Sequence, residues 1–169
     1  MAVADRLSTS YIDGVGVPVV FLHGWLGSID SWKQVRKELD IPNPLLFYDQ
    51  RCHGGSPCEE FDFDDLAQDL HALVEVHGFE DPVLVAHSMG GMVALTYAVN
   101  HDNLGGLLLF GTCASTPEPG LESPKFYLDN FHEMDRRQWS EMIADNYLGD
   151  RDVGLREGTV KELMAADEE

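Results

Sequence analysis

Short apolar runs alternate with amphipathic stretches along the chain as far as Phe110. Each apolar run has the length of a strand and ends in a turn, whereas the stretches between the runs have helical spacing. This alternation predicts an α/β fold, in which a parallel sheet carries helices on both faces. The predicted strands are residues 17–22, 45–47, 82–86 and 107–110, with a weaker strand at 10–12.

Three amphipathic stretches predict the helices of this α/β part. The first covers residues 29–39 and cannot continue through Pro42. The second covers residues 64–77, ends at Gly78, and places one apolar stripe inward: Leu66, Leu70, Leu73 and Val74. The third begins after Ser88, and its apolar stripe is Met92, Leu95, Thr96 and Val99.

The pattern changes after Phe110, where a turn-rich connector precedes two or three short amphipathic stretches. These predict helices near residues 125–134, 137–148 and 157–166. We therefore divide the chain into an α/β core at residues 1–116 and a helical segment at residues 117–169.

The most informative motif is VAHSMGG, residues 85–91, which joins a predicted strand to a predicted helix. A serine flanked two positions away by small residues, here Ala86 and Gly90, is typical of a sharp turn that holds the hydroxyl away from the backbone. The N-terminus of the helix that follows contributes positive potential at the position where an oxyanion would form, and the backbone N–H of Met89 points to that position. The motif predicts Ser88 as a nucleophile with Met89 as an oxyanion donor.

Two further segments also stand at strand ends: FLHGWLGS at residues 21–28 and YDQRCHGGS at residues 48–56. In this order and spacing, the three motifs resemble the α/β-hydrolase family, in particular its esterases, cofactor-free haloperoxidases and C–C bond hydrolases. The resemblance implies that Ser88 is the nucleophile and that Trp25 and Met89 are the backbone oxyanion donors. It also implies that His23 and Gly24 position the first donor, that no cofactor or metal takes part, and that residues 117–169 form a helical cap or lid.

The segment that starts at Asp49 matches the family loop D-x-R-G-x-G-x-S, which braces strand ends and is not itself catalytic. Cys52 stands where that loop has glycine, so a positive φ at this position would strain the cysteine. The three cysteines, Cys52, Cys58 and Cys113, leave an odd thiol, and we expect all three to be reduced.

The proton-transfer part of a Ser-acid-His triad is harder to find. In this family the acid and the histidine follow the serine, and His101 and His132 are the histidines after Ser88. His101 ends the helix far from Ser88, as a partner of the helix dipole; His132 and Glu118 are weak candidates for base and acid. The chain therefore resembles a C-terminally truncated hydrolase that lacks the last strands of the fold and leaves residues 107–110 as an apolar edge.

Two functions follow from this pattern. The first is a serine hydrolase that cleaves an ester or related acyl substrate through an acyl-enzyme, with weak activity or none. The alternative is a non-catalytic fragment or binding module, or one half of a two-chain hydrolase. A nucleotide-binding domain is disfavoured, because no G-x-G-x-x-G or G-x-x-x-x-G-K-[ST] follows a strand.

Charge limits the partners. Thirty Asp and Glu oppose 11 Lys and Arg, giving a formal net charge of -19. This charge repels nucleic acids and anionic membranes. It favours a protein adapted to high salt, and the alternative is an acidic domain of a mesophile. No leader or membrane span is indicated, so the sequence predicts a cytoplasmic protein. The expected partner is a small acyl substrate, with a complementing chain or a second copy kept open.

Overall fold

The computed structural model describes residues 4, 6–57, 61–114, 135–148 and 153–165. The chain divides into two units, Met1–Ala114 and Ser115–Glu168. Within the described residues, the first unit contains the strands and the second contains the last two helices. The assignment of residues 117–169 as a cap stays a prediction.

A five-stranded sheet forms the centre of the first unit. Its outermost strand on one side, β1, runs antiparallel to its neighbour β3, and all other pairs are parallel. The strand order is β1-β3-β2-β4-β5. The predicted α/β class is therefore confirmed, and the predicted parallel sheet is found except at β1. The strands are β1 Thr9–Ile12, β2 Val19–Leu22, β3 Leu45–Tyr48, β4 Val83–His87 and β5 Gly106–Phe110.

The helices of this unit follow the predicted order. The first predicted helix is divided into a 3-10 turn, Ile29–Trp32, and α1, Lys33–Glu38. Helix α2, Phe63–Val76, begins at a reciprocal cap in which Asp62 accepts a hydrogen bond from the Asp65 N–H and Asp65 accepts one from the Asp62 N–H. Its predicted inward stripe is buried. Helix α3, Met89–Asn100, follows β4 directly.

The two faces of the sheet carry separate hydrophobic cores, because successive strand residues point to opposite faces. Val20 and Leu22 lie in the core that includes the buried residues of α2 and α3. Val19 and Phe21 lie in the other core, where the Phe21 ring makes an edge contact with Trp32 at a centroid distance of 5.2 Å. Helices on both faces of the sheet were predicted and are confirmed.

The predicted apolar face of α3 is wrong. Val99 is 86% exposed, and the buried residues include Gly90, Val93, Ala94 and Tyr97. The reason is Gly90: a Cβ there would stand 2.5 Å from the carbonyl oxygens of Leu22 and His23. The helix therefore meets the sheet through its glycine side, and the larger side chains of the predicted stripe lie off that contact.

Strand β5 ends the sheet as an apolar edge, as predicted. It pairs with β4, and no other described strand adjoins it. Leu107, Leu108 and Phe110 are 37%, 57% and 42% exposed. An edge with exposed apolar side chains and unpaired backbone groups is a template for another strand.

The expectation that all three cysteines are reduced is wrong for Cys52, which is disulfide-bonded. Cys113 is free and exposed. A disulfide depends on the approach of two Cα atoms in space, which sequence spacing does not reveal. The cysteine argument for a reducing compartment therefore loses its support.

The second unit contains α4, Arg136–Leu148, and α5, Val153–Ala165, which contact each other. Arg156 Nε donates to Asp145 Oδ1 at 2.5 Å and so links the two helices. These helices confirm two predicted segments, although α5 begins earlier than predicted; the predicted helix at 125–134 lies outside the described residues. Across the described parts of both units, no helix has the length and apolar character that a membrane span requires.

Candidate active site

Ser88 occupies the turn between β4 and α3 in a strained backbone conformation, with φ 50° and ψ −119°. Such a conformation costs a non-glycine residue about 1–3 kcal/mol and persists where the surroundings impose it. The side chain does not cap α3. Among the described residues, none forms a hydrogen bond with the Ser88 hydroxyl. The hydroxyl therefore stands at the helix N-terminus without a structural task in this part of the chain.

The loop after β2 lies directly against Ser88. A Cβ on Gly24 would stand 3.1 Å from Ser88 Cβ and 2.9 Å from His87 Nδ1, so a larger residue at position 24 would collide with the turn. On the sheet, Leu22 is paired with Ala86, which is fully buried. The small residues predicted to matter around Ser88 therefore bring two strand ends and one helix N-terminus together.

Hydrogen bonds fix the peptide that joins Gly24 to Trp25. The Gly24 carbonyl accepts from Gly27 N at 3.0 Å and lies 2.8 Å from His23 Nδ1. In a trans peptide the C=O and the next N–H point in opposite directions. Anchoring the Gly24 carbonyl therefore also fixes the direction of the Trp25 N–H, while the Trp25 side chain remains 38% exposed.

The peptide that joins Ser88 to Met89 is held in the same manner. The Ser88 carbonyl accepts from Gly91 N at 2.9 Å and from Thr112 Oγ1 at 2.7 Å. The Ser88 N–H donates to the Phe110 carbonyl at 3.1 Å. Met89 is the first residue of α3, where N–H groups have no acceptor within the helix. The direction of the Met89 N–H is consequently set by the hydrogen bonds that the Ser88 carbonyl accepts.

His23 anchors the first of these peptides from a fully buried position. Its Nε2 accepts from the Gln50 backbone N–H at 3.0 Å, so the proton is on Nδ1, which donates to the Gly24 carbonyl. The Gln50 side-chain amide donates to the His23 carbonyl at 2.7 Å. Burial, the largest cause, lowers the pKa of His23 to about 4, so the ring is neutral at pH 7. These bonds support a structural role for His23.

The loop at Asp49 braces the strand ends, as predicted. Its carboxylate accepts from Ile29 N at 2.6 Å and from Gly55 N at 2.8 Å, and the Ser56 hydroxyl donates to its carbonyl at 2.5 Å. Asp49 is 5% exposed and both its oxygens have backbone partners, so the geometry leaves it no role as a base. Cys52 has φ 61°, the strained conformation foreseen for a cysteine at a glycine position.

Arg51 of the same loop makes a two-pronged contact with Asp69 on α2. Its Nε and Nη2 lie 2.6 Å from the two carboxylate oxygens of Asp69, which is 2% exposed. Paired geometry of this kind is the strongest that arginine forms with a carboxylate. The loop is thereby fixed to α2 as well as to the strand ends.

The histidines are distributed unfavourably for proton transfer. His87 ends β4, stacks on Phe110 at a centroid distance of 5.4 Å, and has a pKa lowered by burial. His101 follows the 12 residues of α3, about 18 Å from Ser88 along the helix axis. Its ring stacks on His71 at a centroid distance of 4.0 Å, and burial lowers its pKa. The role of His101 as a partner of the helix dipole stays a prediction. His132 and Glu118 lie outside the described residues.

Thr112 and Gln50 make contacts in the site that no sequence pattern indicates. Each side chain donates a hydrogen bond to the backbone carbonyl of a residue distant in sequence: Thr112 to Ser88, and Gln50 to His23. The pairing of His87 with Phe110 brings Thr112 beside the Ser88 turn. Knowledge of the strand register would have located Thr112, and that register is not readable from periodicity alone.

Comparison with known proteins agrees with this geometry. The family model for the α/β hydrolase fold matches residues 17–150. A non-heme chloroperoxidase of Kitasatospora aureofaciens is 40% identical over 101 residues, which are 57% of this chain and 37% of that protein. A 2-succinyl-6-hydroxy-2,4-cyclohexadiene-1-carboxylate synthase of Shigella dysenteriae is 32% identical over 161 residues, covering 89% of this chain and 61% of that protein.

Solved structures give the same result. A thermophilic esterase from Thermogutta terrifontis superposes with a TM-score of 0.72 at 26% sequence identity, covering 94% of this chain and 61% of that chain. The chain thus spans less than two thirds of the length of each of these three proteins.

Proposed function

The chain belongs to the α/β-hydrolase fold family, and we propose that it is a serine hydrolase in which Ser88 attacks an ester or a related acyl substrate. One observation carries the proposal: the strained Ser88 turn adjoins the Gly24–Trp25 peptide, with 3.1 Å between Ser88 Cβ and the position of a Cβ on Gly24. We infer that the backbone N–H groups of Trp25 and Met89, whose directions the bonded carbonyls fix, serve as the donors beside Ser88. In this proposal the Ser88 turn is a nucleophile elbow, and the two N–H groups form its oxyanion hole.

The chemistry follows from these groups. The Ser88 oxygen forms a bond to the acyl carbon as its proton leaves, and negative charge develops on the carbonyl oxygen. The N–H groups of Trp25 and Met89 and the N-terminus of α3 stabilise that charge. The alcohol departs with a proton when the C–O bond breaks. Water then attacks the acyl-Ser88 ester, releasing the acid and restoring the hydroxyl.

The base is the weak part of the site. No described residue accepts the Ser88 proton, and His87, adjacent in sequence, stacks on Phe110. Loss of triad members lowers turnover by several orders of magnitude, whereas an oxyanion hole alone retains part of the acceleration. We accordingly expect barely detectable hydrolysis of p-nitrophenyl acetate by this chain. Ordinary esterase turnover that Ser88→Ala abolishes would contradict the missing-triad reasoning.

The direct test is labelling with a fluorophosphonate, which reacts with activated serines. Wild-type protein should be labelled slowly, because no described residue accepts the Ser88 proton, and peptide mapping should locate the adduct on Ser88. Ser88→Ala should lose the label, and Ser10→Ala should keep it, because Ser10 lies on β1, three strands from β4. Equal labelling of wild type and Ser88→Ala would refute the nucleophile assignment.

A second candidate is a non-catalytic module that pairs with a complementing chain or with another copy. The exposed apolar residues of β5, with Leu108 57% exposed, favour it, because an unpaired edge accepts a further strand. Sedimentation of wild type and Leu108→Lys tests this candidate. Self-association that Leu108→Lys abolishes, without any labelling of Ser88, supports the module; a labelled monomer supports the hydrolase.

A further inference from the structure

We propose that Thr112 is a positioning residue for the candidate active site: its hydroxyl fixes the Ser88–Met89 peptide and thereby aims the Met89 N–H at the oxyanion. The inference rests on the function proposed above for Ser88 and assigns a task to a residue outside every motif of the sequence. Its starting point is the 2.7 Å hydrogen bond from Thr112 Oγ1 to the Ser88 carbonyl.

The strained conformation of Ser88 requires restraints from outside the turn. At φ 50° and ψ −119°, the serine would relax toward an ordinary conformation if its two peptides were free to rotate. On the N-terminal side, the Ser88 N–H is held by the Phe110 carbonyl at 3.1 Å. On the C-terminal side, the Gly91 N–H and the Thr112 hydroxyl hold the Ser88 carbonyl. Thr112 is the long-range restraint on that second peptide.

The backbone around Thr112 is shaped for this contact. Gly111 has φ 58°, a conformation that favours glycine, and turns the chain back from the end of β5. A Cβ on Gly111 would stand 3.2 Å from His87, so the turn also packs closely on the residue before Ser88. Thr112 in turn lies over Gly91, where a Cβ would meet Thr112 Oγ1 at 2.4 Å. Two glycines thus allow the threonine to reach the Ser88 carbonyl.

The direction of the Ser88 carbonyl determines the direction of the Met89 N–H. Because C=O and N–H point in opposite directions across a trans peptide, rotation of the Ser88 carbonyl away from Thr112 rotates the Met89 N–H equally. His23 has the corresponding position at the first donor, where its ring holds the Gly24 carbonyl at 2.8 Å. The difference is that His23 is adjacent to its target in sequence, whereas Thr112 is reached through β5.

The test compares Thr112→Val, which removes the hydroxyl and keeps the shape, with Thr112→Ser, which keeps the hydroxyl. Thr96→Val is the matched control, because Thr96 Oγ1 also donates to a backbone carbonyl of α3, that of Met92, at 3.0 Å. The first readout is the rate of fluorophosphonate labelling against probe concentration. We expect Thr112→Val to lower the limiting rate roughly five- to tenfold, the net effect of one hydrogen bond. The probe concentration that gives half the limiting rate should not change in Thr112→Val. The limiting rates of Thr112→Ser and Thr96→Val should stay near that of wild type.

The second readout does not depend on nucleophilic reactivity. Amide hydrogen exchange at Ser88 and Gly91 should quicken in Thr112→Val, but not in Thr112→Ser or Thr96→Val, because both amides belong to the restrained turn. If wild type is not labelled and exchange still responds in this pattern, the positioning role stands and the proposed nucleophile fails. Unchanged labelling and exchange in Thr112→Val would overturn the positioning role. Equal effects of Thr112→Ser and Thr112→Val would do the same, and Thr112→Ala replaces Thr112→Val if that variant does not fold.

Discussion

Replacing His23 with glutamine should flatten the dependence of stability on pH below neutrality. The His23 ring is fully buried between the ends of β2 and β3, and burial lowers its pKa from 6.5 to about 4. Nearby His53 and His87 add to the lowering, whereas the contact with the Gly24 carbonyl and the charge of Asp49 oppose it. A glutamine can still accept from one backbone group and donate to another, without a titrating ring.

Proton binding at His23 in the unfolded chain makes the folded protein more stable as the pH rises. Between pH 4 and 6.5 the unfolded chain binds a proton at position 23 and the folded chain does not, so the free energy of unfolding rises with pH. The contribution of His23 to folded-state stability is fully present above pH 6.5, the pKa of the histidine in the unfolded chain. It is lost as the pH falls toward about 4, the pKa of His23 in the folded chain. Lowering the pH from 7 to 5 should cost the wild type about 2 kcal/mol through this one residue.

Urea unfolding, followed by tryptophan fluorescence at pH 7 and at pH 5, measures the difference. Trp32 is 4% exposed and reports the loss of the core. Each protein also carries the pH dependence of its 30 carboxylates, but that part cancels when the change in wild type is compared with the change in His23→Gln. High KCl keeps the shared part small by screening.

The control is His77→Gln, which removes an imidazole from the end of α2, where the ring is half-buried. We expect this variant to retain most of the pH dependence. The reasoning is wrong if His23→Gln loses as much stability as wild type between pH 7 and pH 5. It is also wrong if His77→Gln removes the pH dependence as completely as His23→Gln does.

Two further predictions concern packing and charge. Gly90→Ala should lower the free energy of unfolding by about 1–3 kcal/mol or more, because its Cβ would stand 2.5 Å from the carbonyl oxygens of Leu22 and His23. Gly158→Ala lies in open space on α5 and should instead raise the free energy of unfolding by up to about 1 kcal/mol. Equal urea midpoints for the two variants would contradict this prediction. The net charge of -19 predicts that the melting temperature rises with KCl; a temperature that stays constant or falls would remove the case for adaptation to high salt.

The elements that periodicity and local chemistry determine were predictable from sequence. Helix α2 is an example: its inward leucines, acidic start and glycine stop are all local features, and its predicted stripe is buried. The Ser88 turn was predictable because a sharp turn from strand to helix requires small residues at fixed positions. The Asp49 loop was recognised through its resemblance to a family motif, and its carboxylate has the expected backbone partners.

Features that depend on register or on approach in space were not predictable. The buried side of α3 follows from the close contact of Gly90 with β2, and an apolar count favours the wrong stripe there. The disulfide of Cys52 depends on a spatial approach. The hydrogen bond of Thr112 with Ser88 joins residues 24 positions apart and requires both the β4–β5 pairing and the turn at Gly111.

The two N–H groups proposed as oxyanion donors therefore differ in what maintains their direction. The direction of the Trp25 N–H is fixed by two neighbours in sequence, His23 and Gly27. His23 is held in turn by Gln50, just after β3 in the interior of the sheet. The Met89 N–H is fixed in part by Thr112, which reaches Ser88 only while β5 stays paired with β4. Because β5 carries exposed apolar residues and no described strand adjoins its outer side, the strand that anchors the second donor is also an edge strand of the described sheet. Covering that edge would stabilise β5 and order the Ser88 peptide by the same step.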